Sequence, residues 1–289
     1  GNANTCAPNG LQLARDTCGL VAEALGIRAE DVLPSSTGVI GQEMSIEPFA
    51  RGIPEAAAKL AAEVRRNGDI IPYIAEDGVY KTDMRQKNLS WWTNGFWAGL
   101  LWQMYHAVGV AEFKATAEKT EGWLDEAMAD FTGLHHEVGF MWMLSAVADY
   151  RLTGNEKSRI RAMHAATLLA GRYNPNGRFL RAWNGDKTGW MIVDCLMNLS
   201  LLYWASDETG DPRYAEIAQN HADTALRVLL RPDGSCNHIA VLDPVTGELT
   251  GAPAGQGYAP GSSWSRGQSW AVYGFALSAK HTGEARYLE

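Results

Sequence analysis

The sequence lacks the features that mark several classes of protein. Its 289 residues contain only four cysteines, and no CxxC pair indicates a zinc or redox site. Cys6 and Cys18 are compatible with a disulfide across a short loop or with two free thiols, so the cysteines do not indicate a compartment. No apolar run reaches the length of a membrane span, which excludes a multi-spanning membrane protein.

Basic residues are also scarce. Lys and Arg number 25 against 33 Asp and Glu, which gives a formal net charge of −8. No Lys/Arg cluster is visible, so we expect neither a nucleic-acid partner nor attraction to anionic membranes. An anionic substrate remains compatible with this balance, because a local basic pocket can lie within an acidic surface.

Tryptophan, in contrast, is abundant, with eleven residues. Indole rings stack well on the apolar faces of sugars, and they also fill helical cores. Composition alone therefore does not distinguish a sugar-binding site from a Trp-rich core. The positions of the indoles in the sequence are needed to choose between these two explanations.

A glycine-containing turn followed by an amphipathic helix recurs along the chain. The four copies read AVGVAEFKATA at 107–117, LTGNEKSRIRA at 152–162, ETGDPRYAEIA at 208–218 and HTGEARYLE at 281–289. Glycine suits the C-terminal end of a helix because it adopts the left-handed conformation without strain. The repetition predicts helical hairpins of one kind.

Each turn is preceded by a helix that is apolar nearly all round and followed by a helix with one polar face. Alternating buried and surface helices predict an all-α toroid with an inner and an outer ring. Two earlier helical patterns, at about 54–67 and at LQLARDTCGLVAEALG, precede the first clear inner helix. We expect one α/α-barrel domain over 1–289 that lacks its C-terminal helices, because a six-pair toroid needs more helices than are present.

Unusual residues stand at the start of each predicted inner helix, about 14 to 17 residues before its turn glycine. If the inner helices run parallel, these clusters meet at one mouth of the barrel. The clusters contain aromatic rings, the carboxylates Glu137 and Asp194, and Arg266. Charged groups within apolar helices are costly unless they are paired or functional, so the clusters predict a site.

Structural explanations compete with this interpretation. Asp194 would also serve to cap a neighbouring helix or to pair with Arg266, and Glu137 is favourable in the first turn of a helix in any case. HHE at 135–137 places neighbouring residues on different faces, unlike a metal-binding HExxH, so we predict no metal and no other cofactor. A nucleophilic serine or cysteine is not indicated, because no GxSxG is present.

At these residues the sequence resembles glycoside hydrolase family 88, the unsaturated glucuronyl hydrolases. The resemblance rests on WWTNGFWAGLLW, HHEVGFMW, RAWN, IVDCLMNLSLLYWAS, NHIAVLDPVTGEL and GQGYAPGSSWSRGQSWAVYG, in this order over roughly 91–275. It implies an (α/α)6 barrel, in agreement with the repeat.

The resemblance also implies the roles of individual residues. Asp194 matches the catalytic acid/base of the family, and Glu137 stands where the family has a second aspartate. Six residues match positions around the unsaturated sugar: Trp92, Phe96, His136, Trp183, Trp264 and Trp270. Three more match other pocket positions: His238, Gln256 and Arg266.

The implied reaction begins with protonation of a vinyl ether. Asp194 would deliver a proton to carbon 4 of a 4,5-unsaturated uronic acid and would then help a water to add at carbon 5. The hemiketal opens, and the glycosidic bond is lost as a consequence. Arg266 and the histidines would hold the uronate carboxylate, while the indoles stack on the sugar.

Three alternatives remain open on the sequence. They are an unsaturated rhamnogalacturonyl hydrolase, a sugar-binding toroid that is impaired by Glu137, and an epimerase of saturated sugars, for which no clear His pair or Tyr is present. The expected partner is an unsaturated oligosaccharide. A periplasmic location is expected, with the cytoplasm as the alternative, and the oligomeric state is not indicated.

Overall fold

The computed structural model describes residues 9–26, 28–32 and 45–289. These residues form eleven α-helices: α1 Gly10–Leu25, α2 Glu47–Asn67, α3 Met84–Lys87, α4 Asn94–Val108, α5 Ala111–Asp130, α6 Val138–Leu144, α7 Ala146–Thr153, α8 Glu156–Ala170, α9 Cys195–Thr209, α10 Arg213–Val228 and α11 Ser265–Thr282. Short 3-10 turns lie at Ala29–Asp31 and Ala285–Tyr287. The predicted helical class is therefore confirmed.

The glycine turns end the inner helices as predicted. Gly109, Gly154, Gly210 and Gly283 are the C-caps of α4, α7, α9 and α11, with φ between 68° and 74°. Only glycine adopts this left-handed conformation at little cost, so each inner helix stops there and the chain turns back. The repeat in the sequence is thus a repeat of helix ends.

The helices form two layers of an α/α toroid. In the inner layer α4 packs on α6, α6 on α9, and α9 on α11. In the outer layer α5 packs on α4, α8 on α6 and α7, and α10 on α9. The apolar inner helices supply the largest buried side chains, among them Trp102, Trp142 and Leu196. Burial of these apolar side chains is the main stabilising term.

Glycines bring the inner helices into close contact. A Cβ on Gly139 of α6 would lie 2.5 Å from the Cα of Asn198 in α9. A Cβ on Gly95 of α4 would collide with the backbone of Met141 in α6, and one on Gly274 of α11 would collide with Leu196 in α9. Close backbone approach at these three contacts fixes how the inner helices sit against one another.

The second inner helix is interrupted, whereas the sequence predicts one helix through 137–153. Ser145, with φ −100° and ψ −85°, separates α6 from α7. Its hydroxyl donates to the carbonyl oxygen of Met141 at 2.6 Å. A serine that bonds back to the preceding turn competes with the helical ladder and bends a helix, which explains the break.

Within the part of the chain that the structure describes, seven short strands accompany the predicted helices. They are β1 Ala75–Glu76, β2 Val79–Tyr80, β3 Tyr173–Asn174, β4 Phe179–Leu180, β5 Trp190–Ile192, β6 Ile239–Leu242 and β7 Leu249–Gly251. All pair antiparallel, and β5, β6 and β7 form one sheet in that order. The long segment 232–264 therefore contains a hairpin, and the third inner helix begins at Cys195 rather than at Trp190.

A buried polar network joins the outer helices to the inner layer. Glu121 of α5 is 1% exposed and accepts from the Trp102 indole at 2.7 Å and from the Ser158 hydroxyl at 2.8 Å. The same hydroxyl lies 2.5 Å from Asp149, yet it has only one hydrogen. The two carboxylates therefore compete for this one hydrogen. Burial, reinforced by Asp149, raises the pKa of Glu121 to about 7.

The N-terminal helices pack against the first helix pair. α1 packs on α2, and Val64 of α2 is buried with Trp102 of α4 and Phe113 of α5. Both helices were predicted. For Cys6 and Cys18 the sequence left a disulfide and two free thiols open; Cys18 is a free thiol, and Cys6 lies outside the described residues. Over the described ranges, no helix is long and apolar enough to span a membrane.

Candidate active site

The two predicted catalytic carboxylates stand at equivalent places in the fold. Glu137 is the N-cap of α6 and Asp194 is the N-cap of α9. Trp264 is likewise the N-cap of α11. None of these side chains caps its own helix by a hydrogen bond. The sequence suggested that Asp194 lies inside an apolar helix. In the structure it follows β5 and directly precedes α9.

Asn198 holds the two helix starts together. It is fully buried, and its side-chain oxygen accepts from the backbone N–H of Phe140 at 2.7 Å. Its side-chain nitrogen donates to the backbone carbonyl of Asp194 at 3.2 Å. A single amide therefore ties the first turn of α6 to the first turn of α9, next to the contact made by Gly139. This bridge sets the relative position of Glu137 and Asp194.

Glu137 is a carboxyl that keeps its proton at neutral pH. Its side chain is 16% exposed, and burial, followed by the negative charge of Asp194, raises the pKa of Glu137 to about 8. Arg266 acts in the opposite direction. His135 Nε2 lies 3.5 Å from a Glu137 oxygen, and burial lowers the pKa of His135 to about 4, so this ring is neutral.

Asp194 faces His238, which is held in one tautomer. The backbone N–H of Gln256 donates to His238 Nδ1 at 2.9 Å, so the ring hydrogen lies on Nε2. That Nε2 is 3.5 Å from Asp194 Oδ1, slightly longer than a hydrogen bond. Gly255 permits this arrangement, because a Cβ there would collide with the His238 ring. The alternative pairing of Asp194 with Arg266 is not formed.

Arg266 and Trp264 form the next part of the wall. The guanidinium of Arg266 lies 4.3 Å above the Trp264 ring, and its Nη2 donates to the Gln256 side chain at 3.1 Å. Trp264 in turn contacts His238, with ring centroids 4.5 Å apart. Arg266 is exposed and makes no ion pair with a carboxylate among the described residues. It can therefore accept an anionic group of a ligand.

An aromatic cluster occupies the side towards α4. Phe140 lies at its centre, with ring centroids 5.4 Å from Trp92, 5.6 Å from Phe96 and 5.4 Å from Trp270. These rings come from three inner helices or from the residues before them. Phe96 is 37% exposed, so the cluster presents apolar ring surface to solvent. Such a surface suits the apolar face of a sugar.

His136 and Trp183 form the remaining wall. His136 is fully buried and its Nδ1 lies 2.7 Å from the carbonyl oxygen of Ala182, which leaves Nε2 without a partner. Burial holds the pKa of His136 well below its usual value, so the ring is neutral. The Trp183 ring stands at 84° to it, with centroids 5.9 Å apart.

The structure thus brings every predicted site residue into one connected group, although the roles assigned to them stay predictions. Phe140 and Asn198 were noticed only as members of the clusters, and the central position of Phe140 becomes visible in three dimensions. The signal in the sequence for Asn198 was a polar residue one helical turn after Asp194, in an otherwise apolar helix. Lys187, which contacts Trp183, was missed.

No group of three or more His, Cys, Asp or Glu that could hold a metal occurs within the described ranges.

Comparison with known families decides the classification. The model of Glycosyl Hydrolase Family 88 matches residues 65–282, about three quarters of the chain. The chain belongs to glycosyl hydrolase family 88. The matched range includes both carboxylates and every other predicted site residue, so the family and the geometry point to the same surface.

Curated relatives in family 88 agree with this assignment. The unsaturated glucuronyl hydrolase of Bacillus sp. strain GL1 is 36% identical over 246 residues, which cover 83% of this chain and 64% of that protein. The unsaturated chondroitin disaccharide hydrolase of Streptococcus pyogenes serotype M1 is 38% identical over 202 residues, or 68% and 51% of the two chains. The chain therefore spans about half to two thirds of the length of these relatives.

Solved structures of the family share the fold. The unsaturated glucuronyl hydrolase of Bacillus sp. GL1 superposes with a TM-score of 0.77 at 35% identity, over 82% of this chain and 63% of the other. A variant of the Streptococcus agalactiae enzyme complexed with dGlcA-GalNAc6S gives 0.66 at 32% identity, over 81% and 57%. These matches confirm the α/α toroid.

The N-terminal part of the chain has a second resemblance, which the sequence analysis did not find. The ArgJ family model matches residues 1–98, and it overlaps the family 88 match at 65–98. An arginine biosynthesis bifunctional protein ArgJ from Geobacter sulfurreducens is 44% identical over 63 residues, which are 22% of this chain and 16% of that protein. The division of the chain into one domain stays a prediction.

Proposed function

We propose that this chain is a hydrolase that removes the 4,5-unsaturated uronic acid from the non-reducing end of oligosaccharides made by a lyase. The observation that carries the proposal is the meeting of Glu137 and Asp194 at the first turns of two contacting inner helices. Asn198 fixes the distance between these turns. Membership in family 88 and the names of the relatives support the same activity.

The raised pKa of Glu137 supplies a reason for the chemistry to work at neutral pH. Burial and the negative charge of Asp194 raise the pKa of Glu137 to about 8, so the Glu137 carboxyl, beside Asp194, retains a proton that an exposed glutamic acid would lose below pH 7. A group that donates a proton to carbon must begin protonated. The pair, taken together, meets that condition.

The proposed reaction proceeds in three steps. Asp194 delivers the proton held by the pair to carbon 4, and positive charge develops at carbon 5 and the ring oxygen. Water then adds at carbon 5, and its proton returns to the Asp194 carboxylate. The hemiketal opens by breaking the bond between carbon 5 and the ring oxygen, and the hemiacetal at carbon 1 that results releases the aglycone sugar.

The remaining residues would orient the substrate. Arg266 lies close enough to Glu137 to affect its pKa, so a uronate carboxylate bound by Arg266 would sit beside the reacting carboxyls. Trp92, Phe96 and Trp270 offer ring surface to the sugar. His238, kept by Gln256 as an Nε2–H donor, would orient Asp194 or the attacking water.

The decisive experiment is the Asp194→Asn variant, assayed by the loss of enoate ultraviolet absorbance from unsaturated disaccharides. We expect turnover to fall by at least about 1000-fold, because the acid and base are removed together. Binding, followed by tryptophan fluorescence, should persist because the aromatic walls are unchanged. Turnover close to that of the parent would show that Asp194 is not the acid.

The products distinguish this reaction from ordinary glycoside hydrolysis. In deuterium oxide the released uronate should carry deuterium at carbon 4, and ¹⁸O from water should appear at carbon 5. Label at carbon 1 alone would contradict hydration of the double bond. Turnover of unsaturated rhamnogalacturonan disaccharides should be compared with turnover of unsaturated glycosaminoglycan disaccharides. Faster turnover of the rhamnogalacturonan substrates would show that the enzyme is a rhamnogalacturonyl and not a glucuronyl hydrolase. Fluorescence binding without turnover of any substrate would indicate an impaired toroid.

A further inference from the structure

Away from the candidate site, two buried carboxyl groups from different helices meet at one serine. Glu121 lies on the outer helix α5, and Asp149 lies on α7. Ser158 of α8 stands between them, with its Oγ 2.8 Å from Glu121 Oε2 and 2.5 Å from Asp149 Oδ2. All three side chains are at most 1% exposed, so bulk water does not screen the two carboxyls from each other.

The other contacts of the two carboxyls are complete. Glu121 Oε1 accepts from the indole of Trp102, on α4, at 2.7 Å. Asp149 Oδ1 accepts from the Thr153 hydroxyl at 2.7 Å, and Asp149 Oδ2 accepts from the Asn155 side chain at 2.7 Å. The contact through the serine is thus the place where the hydrogen bonding of the two groups has to be matched.

Positive charge near Glu121 is limited. Arg161 Nη1, on α8, lies 3.4 Å from Glu121 Oε2, but the same guanidinium makes two shorter bonds to Asp125 of α5, at 2.6 and 2.7 Å. The other cations that face α5 pair with carboxylates elsewhere: Lys157 of α8 with Asp125, and Arg65 of α2 with Glu112. Glu121 therefore has no cation of its own, and its ionised form is costly in this buried position.

The count of hydrogens distinguishes the two ionisation states of the contact. A serine hydroxyl has one hydrogen and two lone pairs. If both carboxyls are ionised, one carboxylate oxygen faces a lone pair of Ser158 Oγ without a hydrogen between them. If Glu121 is protonated, it donates to Ser158 Oγ, Ser158 donates to Asp149, and Arg161 Nη1 donates to the second lone pair of the serine at 3.2 Å.

We propose that Glu121 is held as a neutral acid at the head of this hydrogen-bond chain, and that the loss of its proton as the pH rises weakens the attachment of α5 to α7 and α8. The fold would thus contain a pH-sensitive contact in its outer layer, separate from the carboxyls of the candidate site.

The direction of the pH effect follows from the two states of the chain. Burial, reinforced by Asp149, raises the pKa of Glu121 from its ordinary value of 4.5 to about 7. The folded chain therefore binds a proton that the unfolded chain releases near pH 4.5. This contribution to stability is complete below pH 4.5, declines as the pH rises, and is lost once the pH has passed about 7.

The test compares the melting temperatures of the parent protein and Glu121→Gln at about pH 5 and about pH 8. Glutamine is neutral at both pH values, and its amide can donate to Ser158 as the acid does. Between these pH values the parent should lose about 5 °C relative to Glu121→Gln. Both proteins keep Glu137, so its titration cancels from the comparison.

Glu126→Gln is the matched control, because it removes an exposed glutamate from the same helix. Its melting temperature should differ from that of the parent by the same amount at both pH values. An equal pH dependence of the parent and Glu121→Gln would overturn the proposal.

A second measurement covers the case in which Glu121→Gln does not fold. Glutamate labelled with ¹³C at the side-chain carboxyl is followed by NMR in Glu137→Gln protein, which retains the outer helices. One glutamate carboxyl should still titrate near pH 7. If every glutamate carboxyl in that protein titrates near the ordinary value, Glu121 does not hold a proton and the proposal fails. Neither readout depends on turnover, so the result is independent of the proposed function.

Discussion

At the scale of single residues, Glu137 is the side chain whose ionisation governs the site. Its carboxyl is buried beside Asp194, and both the burial and that negative charge favour the protonated form. The resemblance to the family leads us to expect an aspartate at this position, so the glutamate head is displaced by about one methylene, a shift that can reduce turnover. The contact with His135 Nε2 helps to hold the longer side chain.

The raised pKa of Glu137 predicts an alkaline limit for turnover. Above about pH 8 the pair loses the proton that the first step requires, so kcat/KM should fall about tenfold per pH unit. Arg266 lowers the pKa of Glu137, so Arg266→Gln should move this limit to higher pH. The same change should also weaken substrate binding. The measurement is a pH profile of kcat/KM for both proteins.

Arg227→Gln, which removes an exposed arginine from the outer helix α10, is the control and should leave the profile in place. A profile of the parent protein that stays flat to well above pH 8 would contradict the role of the Glu137 proton.

Most of the site could be predicted because its residues recur near the start of each inner helix. Glu137, Asp194 and Trp264 are N-caps of successive inner helices, and a repeat places such residues together. Lys187 could not be predicted in this way. It lies outside the repeat, and its contacts depend on how the turn between β4 and β5 folds over two indoles.

At the scale of helices, the contact between α6 and α9 determines the distance between the carboxyls. Gly139→Ala should disrupt it, because the new Cβ would lie 2.5 Å from the backbone of Asn198, which cannot move without shifting α9. We expect a loss of about 1–3 kcal/mol in the free energy of unfolding and a larger loss of kcat than of binding. Denaturant unfolding and steady-state kinetics measure the two effects.

Gly122→Ala is the matched control on helix α5. A Cβ there meets nothing within 4 Å, so this change should be neutral or stabilising by up to about 1 kcal/mol. Unchanged stability and kcat in Gly139→Ala would show that the two helices adjust freely, and that their contact does not set the carboxyl distance.

The helices were predictable and the strands were not, for a physical reason. Helix periodicity and glycine ends are local, whereas each strand has only two to four residues, too few to show an alternating pattern. The partner of β5 lies beyond α9 and α10, at 239–242. Pairing of that kind is decided by tertiary structure, as is the break at Ser145.

At the scale of the whole molecule, the N-terminal helices stand apart from the site. Every predicted site residue lies between Trp92 and Trp270, and α1 packs on α2. The amphipathic pattern of this part fits an outer helix, so its helices were predicted as part of the toroid. Only comparison with ArgJ reveals the second resemblance.

Removal of residues 1–45 should therefore leave kcat/KM unchanged, because α2 and its buried Val64 remain in place against α4 and α5. Removal of residues 1–67 is the comparison. It would expose the surface around Trp102 and Phe113 and should lower the melting temperature markedly. If the protein without residues 1–45 lost turnover while circular dichroism showed an intact fold, the N-terminal helices would not be separate from the site.

The protons held by Glu137 and Glu121 alter the electrophoretic behaviour of the native chain. Burial raises the pKa of Glu137 to about 8 and that of Glu121 to about 7, so near neutral pH the native chain carries less negative charge than the formal −8. Folding at neutral pH thus takes up hydrogen ions from the buffer. The native molecule should migrate towards the anode more slowly than its formal composition implies.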